Sequence, residues 1–283
     1  MRLPFSHGPD ARREPVLRRR DWTFPAPAVR REVIEVLPDA PTDKPPLLFI
    51  HGAWHGAWCW QEHWMPAAAA RGWPCYAVSL RGHGASEGGE RLDRTPLRFY
   101  EHDVLQTITE LPQPPVLVGH SMGGLLAQHV AERYRSARAA VLVASVPPGH
   151  HAWSLPTLLR HDPGALARAI VGAEPDFRPS TMYGPATDER TARRHTDRTG
   201  PESLLATHQL VLPRRVRDVR CPVLVLGGGE DRLVPPFEVV RTARVFGTQA
   251  RLFRGMGHNL MLEDDWRAPL EVTLDWLDET LEL

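Results

Sequence analysis

Residues 115–124 read Pro-Val-Leu-Val-Gly-His-Ser-Met-Gly-Gly, and the rest of the fold is most easily worked out from them. The short apolar run before Gly119 predicts a strand buried on both faces, and residues 122–135 have helical spacing. Small residues around Ser121 suit the sharp G-x-S-x-G turn, which exposes the serine hydroxyl at the start of a helix. The stretch therefore predicts a strand, a turn and a helix, with Ser121 as the candidate nucleophile.

The same alternation of apolar runs and helical spacing extends along most of the chain. Further strands are predicted at Leu47–Ile50, Cys75–Leu80, Ala139–Ala144, Pro222–Leu226 and Ala250–Phe253, with helices over 58–71, 99–111 and 266–281. Strands that alternate with helices predict an α/β protein whose central sheet is mostly parallel and carries helices on both faces.

Two segments depart from this alternation and define the expected domain organisation. Residues 147–215 contain no continuous apolar run typical of a buried strand, and they hold short apolar segments with helical spacing. We therefore expect a helical cap, or lid, inserted into the core. Residues 1–20 are rich in Arg and Pro without periodicity and predict a mobile N-terminal arm. The α/β core is then formed by residues 21–146 and 216–283. Within it, residues 21–24 and 33–37 are strand-like and are expected to pair antiparallel.

A serine nucleophile needs a base to take its proton and an acid to orient that base. The chain has fourteen His residues, and His258 is selected because it follows the last predicted strand in a loop flanked by glycines. Asp231 directly follows the preceding strand and completes the chain order Ser, acid, His. Its neighbour Glu230 is the alternative acid.

Hydrolysis through a tetrahedral intermediate also needs hydrogen-bond donors for the developing oxyanion. One predicted donor is the backbone N–H of Met122, the residue after the nucleophile. The second is expected in the loop after the strand at 47–50, where the sequence reads His-Gly-Ala-Trp. Ala53 is the predicted donor, and Trp54 is the alternative.

The chain resembles the α/β-hydrolase superfamily from about residue 22 onward, and most of all its small esterases, methyl-esterases and lysophospholipase-like proteins. The resemblance is carried by His51-Gly-Ala-Trp-His-Gly-Ala-Trp58, Arg81-Gly-His-Gly-Ala-Ser86, Gly119-His-Ser-Met-Gly-Gly124 and the pair Asp231 and His258. It implies a cofactor-free, metal-free Ser-His-Asp mechanism under a variable lid. Related hydroxynitrile lyases have Thr where this chain has Gly52, which favours the esterase side of the branch.

These features predict a serine hydrolase that cleaves a carboxylic ester of a small or medium, moderately apolar molecule. The same triad also serves thioester, amide or carbon–carbon bond cleavage, or a biosynthetic lyase or cyclase, and the sequence does not separate these. A non-catalytic, ligand-binding relative is the remote alternative. The candidate substrate contacts, each of which could equally be a packing residue, are Trp54, His55, Trp153, Phe177, Met182 and Tyr183.

Bulk composition narrows the partners and the compartment. The 283 residues hold 34 Lys and Arg against 34 Asp and Glu, so the net charge is zero. The charge balance therefore gives no reason to expect nucleic acid as a partner. No apolar run reaches the roughly 18 residues of a membrane span, and the N-terminus lacks a secretory signal pattern, so a cytoplasmic protein is expected. The three Cys are scattered, without metal-ligand spacing. Oligomeric state is not predicted.

Overall fold

The structure is a computed structural model that describes residues 25–135, 137–149, 154–170, 177–212 and 215–283. The predicted arm and the strand-like residues 21–24 lie outside these ranges. Within them the strands are β1 (Val33–Val36), β2 (Leu47–Ile50), β3 (Cys75–Val78), β4 (Val116–His120), β5 (Ala139–Val143), β6 (Val223–Gly228) and β7 (Ala250–Phe253).

These strands form one sheet in the order β1-β3-β2-β4-β5-β6-β7. Strand β1 pairs antiparallel with β3, with Val33 opposite Val78, and every other neighbouring pair is parallel. The predicted fold class, a mostly parallel sheet flanked by helices, is confirmed. Because parallel strands all end at the same edge, the loops after β2, β4, β6 and β7 meet there.

The helices around the sheet agree with most of the expected spans. They are α1 (Trp58–Gln61), α2 (Trp64–Ala70), α3 (Leu97–Glu110), α4 (Met122–Arg133), α10 (Pro236–Val245) and α11 (Arg267–Thr280). The five helices between α4 and α10 are described below. The single helix expected over 58–71 is wrong: the chain breaks at His63, whose φ of −139° is not helical, and two helices result. Periodicity continues through the break because both helices bury Trp residues against the same core.

Alternate strand residues enter two separate apolar clusters, one on each face of the sheet. Leu47 and Phe49 pack with α1, α2 and α11, whereas Leu48 and Ile50 pack with α3, α4 and α10. All four side chains are at most 1% exposed. This two-sided burial explains why the strand text is continuously apolar and not alternating.

The described residues between β5 and β6 form α5 (Ser154–His161), α6 (Pro163–Ile170), α7 (Pro179–Met182), α8 (Glu189–Thr196) and α9 (Leu204–Leu210). A buried cluster ties the end of this segment to the core: the Glu202 carboxylate accepts from Tyr100 Oη at 2.6 Å and pairs with His83 Nε2 at 3.1 Å. Burial is the largest single effect on His83 and lowers its pKa, but the charge and hydrogen bond of Glu202 together with backbone hydrogen bonds at Arg81 and Leu80 outweigh it, so the pKa of His83 is raised. This hydrogen-bonded pair holds the segment beside the loop after β3.

None of the helices in the described ranges has the length and apolar character needed to cross a bilayer.

Candidate active site

Ser121 occupies the turn between β4 and α4 with φ of 50° and ψ of −115°, a left-handed conformation rare for residues other than glycine. The turn is possible only with glycine on both sides. A Cβ on Gly119 would lie 2.3 Å from the Gly123 carbonyl oxygen, and one on Gly123 would lie 2.2 Å from the Ile50 carbonyl oxygen. Such distances require the backbone to move, so the local sequence and the strained serine are physically linked.

Backbone hydrogen bonds hold this strained residue in place. The Ser121 N–H donates to the Val143 carbonyl at 3.0 Å, and the Ser121 carbonyl accepts from Gly124 N–H at 3.0 Å and Val146 N–H at 3.1 Å. The half-buried side chain stands at the N-terminus of α4, where the helix dipole favours negative charge.

His258 and Asp231 meet as a buried, hydrogen-bonded pair. The His258 Nδ1 lies 2.8 Å from Asp231 Oδ2, and the residues are 2% and 4% exposed. Asp231 Oδ1 accepts the backbone N–H groups of Leu233 at 2.8 Å and Val234 at 2.9 Å, which fixes the carboxylate plane. The alternative acid, Glu230, is exposed, so the geometry selects Asp231 as the partner of His258.

The backbone around His258 is fixed from two directions. His258 N–H and Asn259 N–H both donate to the Met182 carbonyl, at 2.9 and 3.0 Å, and the His120 ring Nε2 donates to the His258 carbonyl at 3.0 Å. Among the described residues, no hydrogen bond joins Ser121 Oγ to His258. Hydrogen bonds of this kind are often long before substrate binds.

The loop after β2 packs directly against the serine. A Cβ on Gly52 would lie 3.0 Å from the Ser121 Cβ and 2.6 Å from His120 Nδ1, so a side chain here would crowd the turn. Within the described chain, the backbone N–H groups of Ala53 and Met122 donate to no protein acceptor. Two uncommitted donors therefore lie on the two segments that meet at Ser121.

Four of the six predicted substrate contacts line one cavity of about 190 Å³, namely Trp54, Phe177, Met182 and Tyr183. Its apolar wall includes the edge-on contact of Trp54 with Phe177, whose ring centroids are 5.0 Å apart. Its other lining residues are Thr196, Asp197, Thr199 and Asn259, which sequence reasoning did not select. Adjacency to His258 was an available signal for Asn259; the others lie on the inserted segment, whose helices the sequence did not place.

Of the other two predicted contacts, His55 does not line this cavity. His55 is 2% exposed, its Nδ1 lies 2.8 Å from the Ala53 carbonyl, and its ring stacks on Trp58 with centroids 5.6 Å apart. His55 is therefore a packing residue within the loop after β2. Trp153 lies outside the described residues.

Three histidines packed around the site, His51, His55 and His120, have lowered pKa values and are uncharged at neutral pH. Burial lowers the pKa of His51 and of His120 well below the ordinary value, and it lowers that of His55 to about 4. No additional cation is therefore placed beside His258 by these three rings. Of the four rings His51, His55, His120 and His258, only that of His258 is hydrogen-bonded to a carboxylate, so it is the ring among them that would attract a proton from Ser121.

Among the described residues, one group of side chains has the spacing of a metal site, but its surroundings oppose a cation. Glu62, His63 and His195 offer ligand atoms within 4.8 Å of one another. Both oxygens of Glu62 are already held by guanidinium groups, from Arg194 at 2.9 Å and Arg198 at 2.8 Å. Two positive charges at this distance make binding of a divalent metal unfavourable.

Comparison with known proteins identifies the family of this chain. A family model described as the alpha/beta hydrolase family matches residues 47–272, which include Ser121, Asp231 and His258. The chain belongs to the α/β hydrolase family.

Individual relatives match shorter stretches. Methylesterase 3 from Arabidopsis thaliana is 38% identical over 81 residues, covering 28% of this chain and 30% of that protein. Norfluorocurarine synthase 1 from Strychnos nux-vomica is 35% identical over 105 residues, covering 36% of this chain and 38% of that protein. The matches thus span well under half the length of these relatives.

A solved thermophilic esterase from Thermogutta terrifontis, with malate bound, shares the fold with a TM-score of 0.67 and 18% identity. The alignment covers 89% of this chain and 94% of that one.

Proposed function

We propose that this protein is a serine hydrolase that cleaves carboxylic esters through an acyl-enzyme, with Ser121, His258 and Asp231 as its catalytic triad. The observation that carries the proposal is the buried His258–Asp231 hydrogen bond of 2.8 Å, at the sheet edge where Ser121 occupies its strained turn. The esterases among its relatives favour ester bonds over other acyl substrates.

In the first half of the reaction, Ser121 Oγ attacks the ester carbonyl while His258 Nε2 takes the hydroxyl proton. Asp231 holds the imidazole by Nδ1, and its negative charge stabilises the imidazolium that forms. The carbonyl oxygen becomes an oxyanion, which accepts hydrogen bonds from the Ala53 and Met122 N–H groups. One such donor is worth about 3 kcal/mol to the transition state.

In the second half, His258 returns the proton to the leaving alkoxide, and the alcohol departs. Water then attacks the acyl-enzyme with His258 again as base, which releases the acid and restores Ser121. The steps use only groups of this chain, the ester and one water molecule, so the bonds broken and formed balance without a cofactor.

The acyl part of the substrate occupies the cavity lined by Trp54, Phe177, Met182 and Tyr183. At about 190 Å³ it is smaller than the roughly 300–1,000 Å³ of pockets for drug-sized ligands, which favours a small or medium acyl group. Three aromatic side chains favour a moderately apolar one. Residues 147–215 act as the cap, because three of these four residues belong to the segment or border its helices.

A second reaction is favoured by one comparison. Norfluorocurarine synthase 1, by its name a synthase, matches this chain about as well as the methylesterase does. The same triad would then serve a biosynthetic step, with the proton transfers of His258 retained.

The deciding experiment combines active-site labelling with an ester panel. A fluorophosphonate probe should label the wild type and not Ser121→Ala, and p-nitrophenyl acetate, butyrate and octanoate should be hydrolysed with a preference for the shorter chains. Equal labelling of both proteins would overturn the mechanism. Serine-dependent labelling without hydrolysis of any ester would favour the hypothesis of a biosynthetic reaction.

A further inference from the structure

Glu263 is a buried carboxylate that the mechanism above does not use. It follows the His258 loop and is 2% exposed. Its Oε1 accepts the backbone N–H of Gly257 at 2.6 Å. Its Oε2 accepts the backbone N–H of Gly184 at 3.2 Å and the hydroxyl of Thr187 at 3.0 Å. One carboxylate therefore joins the residue before His258 to the segment inserted between β5 and β6.

The two segments that Glu263 joins are packed backbone to backbone. A Cβ on Gly184 would lie 2.0 Å from the Gly255 carbonyl oxygen, and a Cβ on Gly257 would lie 2.6 Å from Gly184 N. The Met182 carbonyl accepts the His258 N–H from the same side. Residues 182–184 thus directly contact the backbone that carries the imidazole of His258.

We propose that Glu263 is a positioning residue that locks the His258 loop to residues 182–187 and so keeps the imidazole aimed at Ser121. The inference rests on the proposed function in one respect, the role of His258 as base. It goes beyond that function because it makes the inserted segment part of the machinery that orients the base, in addition to lining the cavity.

The charge of Glu263 changes in the neutral range. Burial raises its pKa to about 7, against the lowering effect of the Gly257, Thr187 and Gly184 donors, and the negative Asp231 raises it further. Tyr183 faces it from the inserted segment and stays neutral, since burial raises its own pKa. Within the described ranges no Lys or Arg pairs with Glu263. Above pH 7 both oxygens accept; below it, one must carry a proton toward a donor.

The test is Glu263→Gln, which keeps the shape but replaces one acceptor oxygen by an NH2 group. We expect kcat for p-nitrophenyl butyrate to fall about tenfold with KM within twofold, because an interaction that aims the base acts on the chemical step. The ratio of wild-type to variant kcat should be largest above pH 7.5 and approach one near pH 5.5, where the wild-type carboxyl is itself protonated. The matched control is Glu279→Gln, an exposed residue of α11 that should match the wild type at every pH.

A second readout separates this inference from the proposed function. The ring ¹⁵N resonances of His258 should shift in Glu263→Gln and not in Glu279→Gln, whether or not any ester is hydrolysed. If the wild type shows no serine-dependent hydrolysis, the proposed function is refuted, but the role of Glu263 in orienting His258 is not. A ratio independent of pH, a rise in KM at constant kcat, or unshifted His258 resonances would refute the role of Glu263.

If Glu263→Gln does not fold, Thr187→Val replaces it as the test. This variant removes one donor to Oε2, so the carboxylate becomes less stable and its pKa rises further. The low-pH fall of kcat should move to higher pH, and an unmoved profile would overturn the inference.

Discussion

Substitution of Asp231 by Asn probes the hydrogen-bond network of the candidate site with the smallest change in shape. Asp231 Oδ1 accepts two backbone N–H groups, from Leu233 and Val234, and Oδ2 faces His258 Nδ1. An amide has only one acceptor oxygen. The two backbone donors will orient that oxygen toward themselves, which leaves the NH2 group facing His258.

The imidazole then has to accept at Nδ1 and carry its proton on Nε2, so it is unable to take a proton from Ser121. The competent tautomer requires the amide to turn over, which leaves the N–H groups of Leu233 and Val234 buried and facing NH2. Each backbone N–H that loses its acceptor in this way costs about 1–3 kcal/mol, so the two together cost about 2–6 kcal/mol. At about 1.4 kcal/mol per factor of ten, kcat should fall between roughly 30-fold and 10⁴-fold. The analogous change in a serine protease costs about 10⁴-fold.

The assay is kcat on p-nitrophenyl butyrate at pH 8, with the rate of fluorophosphonate labelling as a second measure of Ser121 reactivity. The matched control is Glu230→Gln, the exposed neighbour with the same change of chemical group, which should stay within twofold of the wild type. Thermal unfolding of both variants establishes that each is folded at the assay temperature.

The reasoning is refuted if Asp231→Asn retains more than a tenth of the wild-type kcat. It is also refuted if Glu230→Gln loses as much, since the acid would then be assigned to the wrong carboxylate.

Three further outcomes follow from the structure. Gly123→Ala places a Cβ 2.2 Å from the Ile50 carbonyl oxygen and should lower the free energy of unfolding by about 3 kcal/mol, which appears as a Tm several degrees lower. Its control, Gly89→Ala, adds a Cβ in open space and should leave Tm unchanged. Phe177→Ala should enlarge the cavity and raise kcat/KM for the octanoate relative to the butyrate ester by about tenfold; an unchanged ratio would place the acyl group elsewhere. Because the folded pKa of Glu263 is about 7 against an ordinary value of 4.5, the folded state binds its proton more tightly, and stability should rise as pH falls between these values. Urea unfolding should show this slope, at most about 1.4 kcal/mol per pH unit, weakened in Glu263→Gln; an identical slope in both proteins would contradict the assignment.

Much of the candidate site was predictable because local rules fix it. The turn at Ser121 needs glycines beside it, a buried strand before it and a helix after it, and all of these are visible within one short stretch. Asp231 and His258 follow from strand ends, since parallel strands bring their carboxyl ends to one edge. The predicted family is confirmed by the family model, and the predicted sheet by the order and direction of its strands.

What the sequence did not predict depends on contacts between distant segments. The break at His63 leaves the apolar spacing intact, so periodicity alone does not reveal it. Glu202 pairs with His83 across 119 positions, and Glu263 reaches Gly184 across 79, and no local pattern encodes either partner. The sequence does not distinguish a carboxylate that tertiary packing buries from one that stays on the surface.

The proposed oxyanion donors have a consequence for how this site is studied by mutation. Ala53 and Met122 contribute their backbone N–H groups, and every genetically encoded side chain other than proline keeps that group. An alanine scan would report Ser121, Asp231 and His258 and pass over both donors, one of which is already alanine. Only a change in the main chain itself, such as an ester in place of the amide at residue 53 or 122, removes the donor and leaves the side chain intact.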